Sequence, residues 1–186
     1  TAKVKVILAD GSYVTVNVPV KVVEKELQIA KKDAIKTIDV LVKQKIKDID
    51  SNNELTSTQR EDAKAEIERL KKQAIDKVNH SKSIKDIETV KRTDFEEIDQ
   101  FDPKRFTLNK AKKDIITDVN TQIQNGFKEI ETIKGLTSNE KTQFDKQLTA
   151  LQKEFLEKVE HAHNLVELNQ LQQEFNNRYK HILNQA

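Results

Sequence analysis

The residues of this chain that could take part in chemistry are mainly its four histidines. His80 and His161 lie near the ends of predicted helices, where a cationic ring interacts favourably with the last carbonyl groups. His161 and His163 are two residues apart, a spacing that does not bring side chains together on a helix. A structural zinc site needs four ligands, and the chain has no cysteine. We therefore predict no metal site, and we interpret His181 as a surface residue.

The acidic segment with Glu96, Glu97 and Asp99 is the other candidate, for general acid–base catalysis. Nothing in the sequence places a histidine or a nucleophile beside these carboxylates, and acid–base catalysis needs a reacting group within hydrogen-bond reach. With three glycines in 186 residues, the chain also has no glycine-rich loop that could hold a phosphate. The sequence therefore predicts no catalytic residue, no cofactor and no enzyme.

Charge is balanced along the chain, with 33 basic and 31 acidic residues and a net charge of +2. Pairs such as Lys71-Lys72, Lys104-Arg105 and Lys112-Lys113 are typical of a solvated surface, and the sequence has no basic arm of the kind that binds nucleic acid. No apolar run reaches the length of about 18 residues that a membrane-spanning helix needs. The sequence therefore argues against nucleic-acid binding and against membrane contact.

An internal repeat of 81 residues organises the chain. The tripeptide LTS at residues 55–57 recurs at 136–138, and AKKD at 30–33 recurs at 111–114. The two copies align without a gap. Such a period indicates a repeated structural unit. Glycine and proline are scarce, with three and two residues, which favours long helices joined by short loops.

Each copy contains three segments in which apolar residues return mostly every three or four positions, the spacing of an amphipathic helix. In the first copy the segments are Ile35, Ile38, Val42, Ile46, Ile49; then Ala63, Ile67, Leu70, Ala74, Val78; then Ile84, Ile87, Val90, Phe95, Ile98, Phe101, with one step of five. In the second copy they are Ile116, Val119, Ile123, Phe127, Ile130; then Phe144, Leu148, Leu151, Phe155, Val159; then Leu165, Leu168, Leu171, Phe175, Ile182.

The recurring tripeptide marks the start of each second helix. Both copies carry the capping-box pattern there, T-x-x-Q or T-x-x-E, and the third helices begin with S-x-x-D and N-x-x-E. The predicted cap pairs are Thr56 with Gln59, Thr137 with Glu140, Ser83 with Asp86, and Asn164 with Glu167. Leu55 and Leu136, which precede the threonine caps, are expected to close one end of each core.

Short loops between these helices make neighbouring helices antiparallel. We therefore predict a mainly α protein of two tandem three-helix bundles, residues 26–103 and 104–186, end to end in an elongated rod. An odd number of antiparallel helices lets the chain leave each bundle at the end opposite to the one where it arrives. Pro103 cannot lie inside a helix and marks the boundary, and Phe101 and Phe106 are expected to pack at the junction.

Residues 1–25 follow a period of two instead. Two runs of alternating valines flank Asp10-Gly11, which indicates a β-hairpin. Pro19 has no N–H group to donate and indicates a strand end or an edge. Because a lone hairpin is marginal in water, this one is expected to pack on the helices or to belong to a larger sheet.

The sequences AKKDAI at residues 30–35 and AKKDII at 111–116, with LTS at each second helix, resemble the tandem helical repeats of a family first catalogued as a domain of unknown function. That family occurs in Gram-positive cell-wall-anchored surface proteins, including staphylococcal FmtB/Mrp and SasC, and the resemblance covers residues 26–186. The segment ADGSYVTVNVPVKV at 9–22 is similar to the C-terminal end of Rib/alpha-like β modules of the same class of proteins.

The resemblance implies an extracellular, wall-anchored and monomeric stalk that contacts neighbouring repeats and has no enzymatic activity. Two functions remain open. As a spacer, the repeats would project an adhesive region from the cell wall. As a binding module, they would hold a host plasma or matrix protein, or a homotypic partner in cell–cell accumulation. That second function needs exposed anchors. The candidates are Tyr179, Phe106 and Leu156, each of which could equally be a core or junction residue.

Overall fold

A computed structural model describes residues 2–18 and 21–186. The chain folds into two compact units, Thr1–Pro103 and Lys104–Ala186. The prediction for Pro19 concerns a residue outside the described ones. Among the described residues, no helix combines the length and the apolar character that crossing a membrane requires.

The first unit begins with the predicted antiparallel hairpin. Its strands are β1, Ala2–Ile7, and β2, Tyr13–Val18. Val4 is paired with Val16, so the alternating valines of both strands share one face. Gly11 adopts a φ of +83°, and its N–H donates to the carbonyl of Leu8 at 3.0 Å. A glycine at this position supplies the left-handed conformation that the tight turn requires.

Three helical stretches complete the first unit. They are α1, Lys21–Asp50; α2, Ser57–His80; and a third stretch made of α3, Ile84–Val90, a π-helical turn, Lys91–Phe95, and α4, Glu96–Asp99. Thr56 and Ser83 form both hydrogen bonds of their capping boxes, as predicted. α1 begins at Lys21, before the predicted start at residue 26. Valine disfavours a helix by less than about 1 kcal/mol per residue, so the valines of this segment do not prevent helix formation.

The second unit repeats this arrangement with regular helices. They are α5, Pro103–Thr132; α6, Ser138–His161; and α7, Leu165–Gln185. Pro103 is the first residue of α5, a position that tolerates its missing N–H. Thr137 forms a complete capping box, and the side chain of Asn164 accepts from the N–H of Glu167. The predicted starts of α6 and α7 are therefore confirmed.

Each unit has its own apolar core. The core residues of α2 are all as predicted, namely Ala63, Ile67, Leu70, Ala74 and Val78. In α1 and α5, however, Ala34 and Ile115 are buried while Ile35 and Ile116 are only half-buried. The prediction was wrong by one residue because apolar residues are adjacent at both places, and a period of three or four cannot choose between them. The predicted core residues Ile46, Phe127, Phe144, Leu165 and Leu171 are also half-buried, and Ile84 is exposed.

The step of five between Val90 and Phe95 coincides with the π-helical turn. A π turn accommodates one extra residue, so both Val90 and Phe95 reach the core and are buried. In the second unit the equivalent step, from Leu171 to Phe175, is four residues, and α7 is a regular α-helix. The irregular spacing in the sequence therefore has a structural cause.

Candidate functional site

His80 and His161 are the last residues of α2 and α6 and form equivalent contacts. Nδ1 of His80 lies 2.7 Å from the carbonyl oxygen of Asp76, and Nδ1 of His161 lies 2.9 Å from that of Glu157. A carbonyl oxygen can only accept, so each ring N–H donates to the carbonyl one turn earlier in its helix. The described part of the chain contains no group of three or more side chains that could hold a metal ion.

A lysine from the neighbouring helix completes each of these helix ends. Nζ of Lys31 donates to the carbonyl of Asn79 at 2.7 Å, and Nζ of Lys112 donates to that of Glu160 at 2.7 Å. Cations are favoured at the C-terminus of a helix. The first lysine of each AKKD segment therefore has a structural role, which sequence reasoning missed.

Glu96, Glu97 and Asp99 lie exposed on α4. The carboxylate of Glu96 accepts a hydrogen bond from Nε2 of Gln100 at 2.8 Å, one helical turn away. This placement is that of a solvated helix face.

Asp94, in the π-helical turn, is the buried carboxylate of the first unit, with 4% of its surface exposed. It accepts from Nζ of Lys77 at 2.7 Å, from Oγ1 of Thr93 at 2.7 Å and from Nε2 of Gln73 at 3.3 Å. Burial raises the pKa of Asp94, but the hydrogen bonds from these three residues outweigh it, and the pKa lies below its ordinary value. The step of five was the signal in the sequence that could have revealed this site.

In the second unit, the lysine equivalent to Lys77 lies in a surface network instead. Lys158, the counterpart of Lys77, contacts Glu154 at 2.8 Å and Glu174 at 3.3 Å. Arg178 donates two hydrogen bonds to Glu154, at 2.7 and 2.8 Å. Arg178, followed by Lys158, lowers the pKa of Glu154 to about 2. All four side chains are 38–46% exposed, so they form a surface ion-pair network rather than an enclosed site.

The three predicted binding anchors are all half-buried. Leu156 and Tyr179 pack against the second core, and Tyr179 stacks on Phe175 with ring centroids 5.9 Å apart. Burial, with a contribution from the charge of Glu129, raises the pKa of Tyr179. Phe106 lies near the start of α5. The reading of Leu156 and Tyr179 as core residues, which the sequence left open, therefore fits their positions.

Exposed apolar surface is concentrated on the hairpin. The valines of its apolar face, Val4, Val6, Val14, Val16 and Val18, are each 42–49% exposed. On the helices, Val40 is 70% exposed and Val166 is 65% exposed. Single apolar side chains of this kind are normal on a protein surface, whereas a contiguous exposed apolar face is typical of an interaction surface.

A shallow furrow of about 620 Å³ runs between α5 and α6. Its floor is formed by the half-buried Ile116 and Leu156. The polar residues that line it are Asn109, Lys112, Lys153, Glu157 and Glu160. We call this surface the inter-helix furrow. Its residues come from two helices, and sequence reasoning did not bring them together.

Comparison with known proteins gives one family match and several relatives. Residues 30–106 match the family described as Domain of Unknown Function (DUF1542). The chain is 39% identical over 175 residues, 94% of its length, to the extracellular matrix-binding protein ebh of Staphylococcus aureus strain MRSA252. It is 38% identical over 154 residues, 83% of its length, to the extracellular matrix-binding protein EbhA of strain Newman. The chain spans only 2% and 4% of those two proteins. No solved structure matches it.

Proposed function

Because residues 30–106 belong to the DUF1542 repeat family and most of the chain is homologous to staphylococcal Ebh proteins, we propose that it is a non-enzymatic structural segment of a Gram-positive cell-surface protein. In this proposal the repeats lie outside the cell, anchored to its wall, and act as a stalk that projects an adhesive region. The observation that carries the proposal is the recurrence, after 81 residues, of a three-helix unit with its own caps and core.

The course of the chain within each unit supports a spacer. Lys31, in the first half of α1, contacts Asn79 near the end of α2. Lys64, in the first half of α2, contacts Asp50 at the end of α1. The two helices are therefore antiparallel, and the third helix reverses the direction again. A unit with three such helices delivers the chain to its far end, so each added repeat adds length.

Small-angle X-ray scattering tests the spacer. A 30-residue helix is about 45 Å long, so two repeats that extend the chain should give a maximum dimension on the order of 80–100 Å. A maximum dimension close to that of one bundle would contradict the proposal. Deleting residues 107–186 provides the matched control, since an extended arrangement predicts a loss of about half the length.

A second candidate is a binding module for a host plasma or matrix protein, or for cell–cell accumulation. It is favoured by the names of the two relatives, which describe them as extracellular matrix-binding. Binding of the purified chain to immobilised matrix extract, measured at low and at raised salt, tests it. Binding that disappears as salt rises would count as nonspecific charge attraction and against this function.

We also propose that the hairpin is the last hairpin of a Rib-like β module. The support is its valine face, which is 42–49% exposed, together with the marginal stability of a two-stranded hairpin in water. Hydrogen exchange in β1 and β2 tests this proposal. We expect the amides of β1 and β2 to exchange fast in this chain and to be protected in a longer chain of the same protein. Strong protection already in this chain would contradict the proposal.

A further inference from the structure

One dipeptide of α5 can modify itself without a partner molecule. Asn125-Gly126 is the single asparagine–glycine pair of the chain, and asparagine is among the chemically labile residues of proteins. Its reaction begins when the backbone nitrogen of the next residue attacks the carbonyl carbon of the asparagine side chain. Glycine as the next residue favours the attack, because it has no side chain in the way and its backbone turns freely.

The reaction needs only water as a second reactant. The new bond between the backbone nitrogen and the side-chain carbon closes a succinimide ring. The amide nitrogen leaves as ammonia, with the proton that the backbone nitrogen has lost. Water then opens the ring at either of its carbonyl carbons, which gives aspartate or isoaspartate. In isoaspartate the main chain runs through the former side chain and is longer by a carbon atom.

The folded second repeat holds this dipeptide in a geometry that prevents the attack. Both residues lie within α5, where the N–H of Gly126 donates to the carbonyl of Gln122 one turn earlier. The attacking nitrogen reaches the side-chain carbon only after a rotation away from helical ψ, which breaks this hydrogen bond. Gly126 is also buried so tightly that a Cβ atom there would lie 2.9 Å from Leu148 and 3.0 Å from Tyr179. The reaction therefore requires these contacts to open.

The two repeats differ at this place. Asn125 is exposed, so water reaches its side chain, and packing requires the glycine that follows it. The equivalent residues of the first repeat are Gln44 and Lys45. Glutamine would have to close a larger ring, and the lysine side chain obstructs the approach of the backbone nitrogen. The labile pair is thus a property of the second repeat.

We propose that Asn125-Gly126 is a deamidation site that the folded second repeat protects and that reacts when this repeat opens. The added backbone carbon of isoaspartate interrupts the i→i−4 hydrogen bonds of α5, so the helix cannot re-form across residue 125. A transient opening is thereby converted into a permanent loss of the second repeat, while the first repeat still refolds. This property goes beyond the role of a spacer and does not depend on it.

Incubation of the intact chain at neutral pH, followed by peptide mapping with mass spectrometry, tests the proposal. In urea, Asn125 should be converted faster than any other asparagine, and in the native chain its conversion should be slow. Because the reaction is slow compared with opening and closing, its rate follows the population of the open repeat. Leu151→Ala should therefore accelerate it at least about thirtyfold, up to the rate in urea. The matched control in the first repeat, Leu70→Ala, should leave the rate unchanged.

Equal rates in Leu151→Ala and Leu70→Ala would overturn the proposal, as would a native chain that reacts as fast as the chain in urea. Asn125→Gln keeps both the amide and Gly126, and it should abolish the reaction at this position with unchanged circular dichroism. Hydrogen exchange after incubation in urea and refolding tests the permanent loss. Chains that contain isoaspartate should lack protection in the second repeat alone, and Asn125→Gln should regain it. Full protection in the presence of isoaspartate would contradict the permanent loss.

Discussion

In each repeat, an acidic residue of the third helix pairs with a lysine of the second helix. This acidic residue is buried in the first repeat and exposed in the second. Asp94 is 4% exposed and binds Lys77, while Glu174 is 46% exposed and binds the equivalent lysine, Lys158. The same pairing of an acid on the third helix with a lysine on the second is therefore present in both repeats. The difference teaches that the environment of an ion pair, and not its presence, decides how much it contributes to stability.

The π-helical turn is the origin of this difference. In the ungapped alignment of the repeats, Asp94 corresponds to Phe175, a core residue that is 1% exposed. A regular helix would therefore place a carboxylate deep in the core, at a large energetic cost. The extra residue of the π turn brings Phe95 into the core instead and leaves Asp94 beside Lys77 and Gln73.

The repeats also differ in the size of the side chains at one contact between helices. A Cβ atom on Gly126 would lie 2.9 Å from Cδ1 of Leu148 and 3.0 Å from Cε2 of Tyr179. In the first repeat, Lys45 stands in place of Gly126. The large ring of Tyr179 in the second repeat thus requires a residue without a side chain on the facing helix.

The largest expected effect tests whether the two cores are equivalent. Leu70 and Leu151 occupy matching positions and are 4% and 2% exposed. Replacing either by alanine should destabilise its own repeat by about 2–5 kcal/mol, through lost burial and a new cavity. Native-state hydrogen exchange in the intact chain reports the free energy of opening of each repeat separately. A loss below about 1 kcal/mol in either repeat would mean that its core is not packed as described.

The next prediction tests the difference between the two ion pairs. Lys77→Met leaves the buried carboxylate of Asp94 without its cation, and we expect a loss of about 1–3 kcal/mol in the first repeat. Lys158→Met removes an exposed pair and should change the second repeat by only about 0–1 kcal/mol. The same hydrogen-exchange measurement compares the two. Equal losses would show that burial of Asp94 does not set the difference.

The features that could be predicted from the sequence are those with a local cause. The caps at Thr56 and Thr137 follow from residues three positions apart, and the turn at Gly11 follows from two neighbouring residues. The repeat supports the prediction of α6 as well as that of α2, because the capping pattern and the apolar spacing occur in both copies.

The features that could not be predicted depend on contacts between helices. The burial of Asp94 depends on how the π turn presents it to α2, and the need for Gly126 depends on Tyr179, which is far away in the sequence. The inter-helix furrow likewise joins residues of two helices, and its floor includes Ile116, which periodicity assigned to the core. A helical period gives the apolar face of a helix to within about one residue, and the neighbouring helix fixes the rest.

The next prediction, with a smaller expected effect, tests the close packing around Gly126. Gly126→Ala should destabilise the second repeat by about 1 kcal/mol, because overpacking costs about 1–3 kcal/mol while alanine recovers about 1 kcal/mol of helix propensity. Lys45→Ala, at the equivalent position of the first repeat, should change stability by less than about 0.5 kcal/mol. In a Tyr179→Ala background the cost of Gly126→Ala should fall, since one of the two close contacts is removed. An unchanged cost in that background would assign the strain to Leu148 alone.

The smallest expected effect is on the stability of the folded chain at acidic pH. The pKa of Glu154 is lowered from 4.5 to about 2 in the folded chain, so its ion pairs contribute fully above pH 4.5 and are lost as the pH falls towards 2. Because Glu154 is 38% exposed, solvent screening limits this contribution to at most about 1 kcal/mol. Glu154→Gln should therefore reduce the loss of stability of the second repeat over this range and leave the first repeat unchanged. The first repeat should also lose stability at low pH through Asp94, because the pKa of this carboxyl is lowered from 3.8 in the folded chain. The part of that loss due to Asp94 lies below pH 3.8, and Asp94→Asn should remove this part and leave the second repeat unchanged. Thermal unfolding followed by resonances of each repeat separates the two responses, and an acid response of the second repeat that persists undiminished in Glu154→Gln would show that its surface network does not contribute to stability.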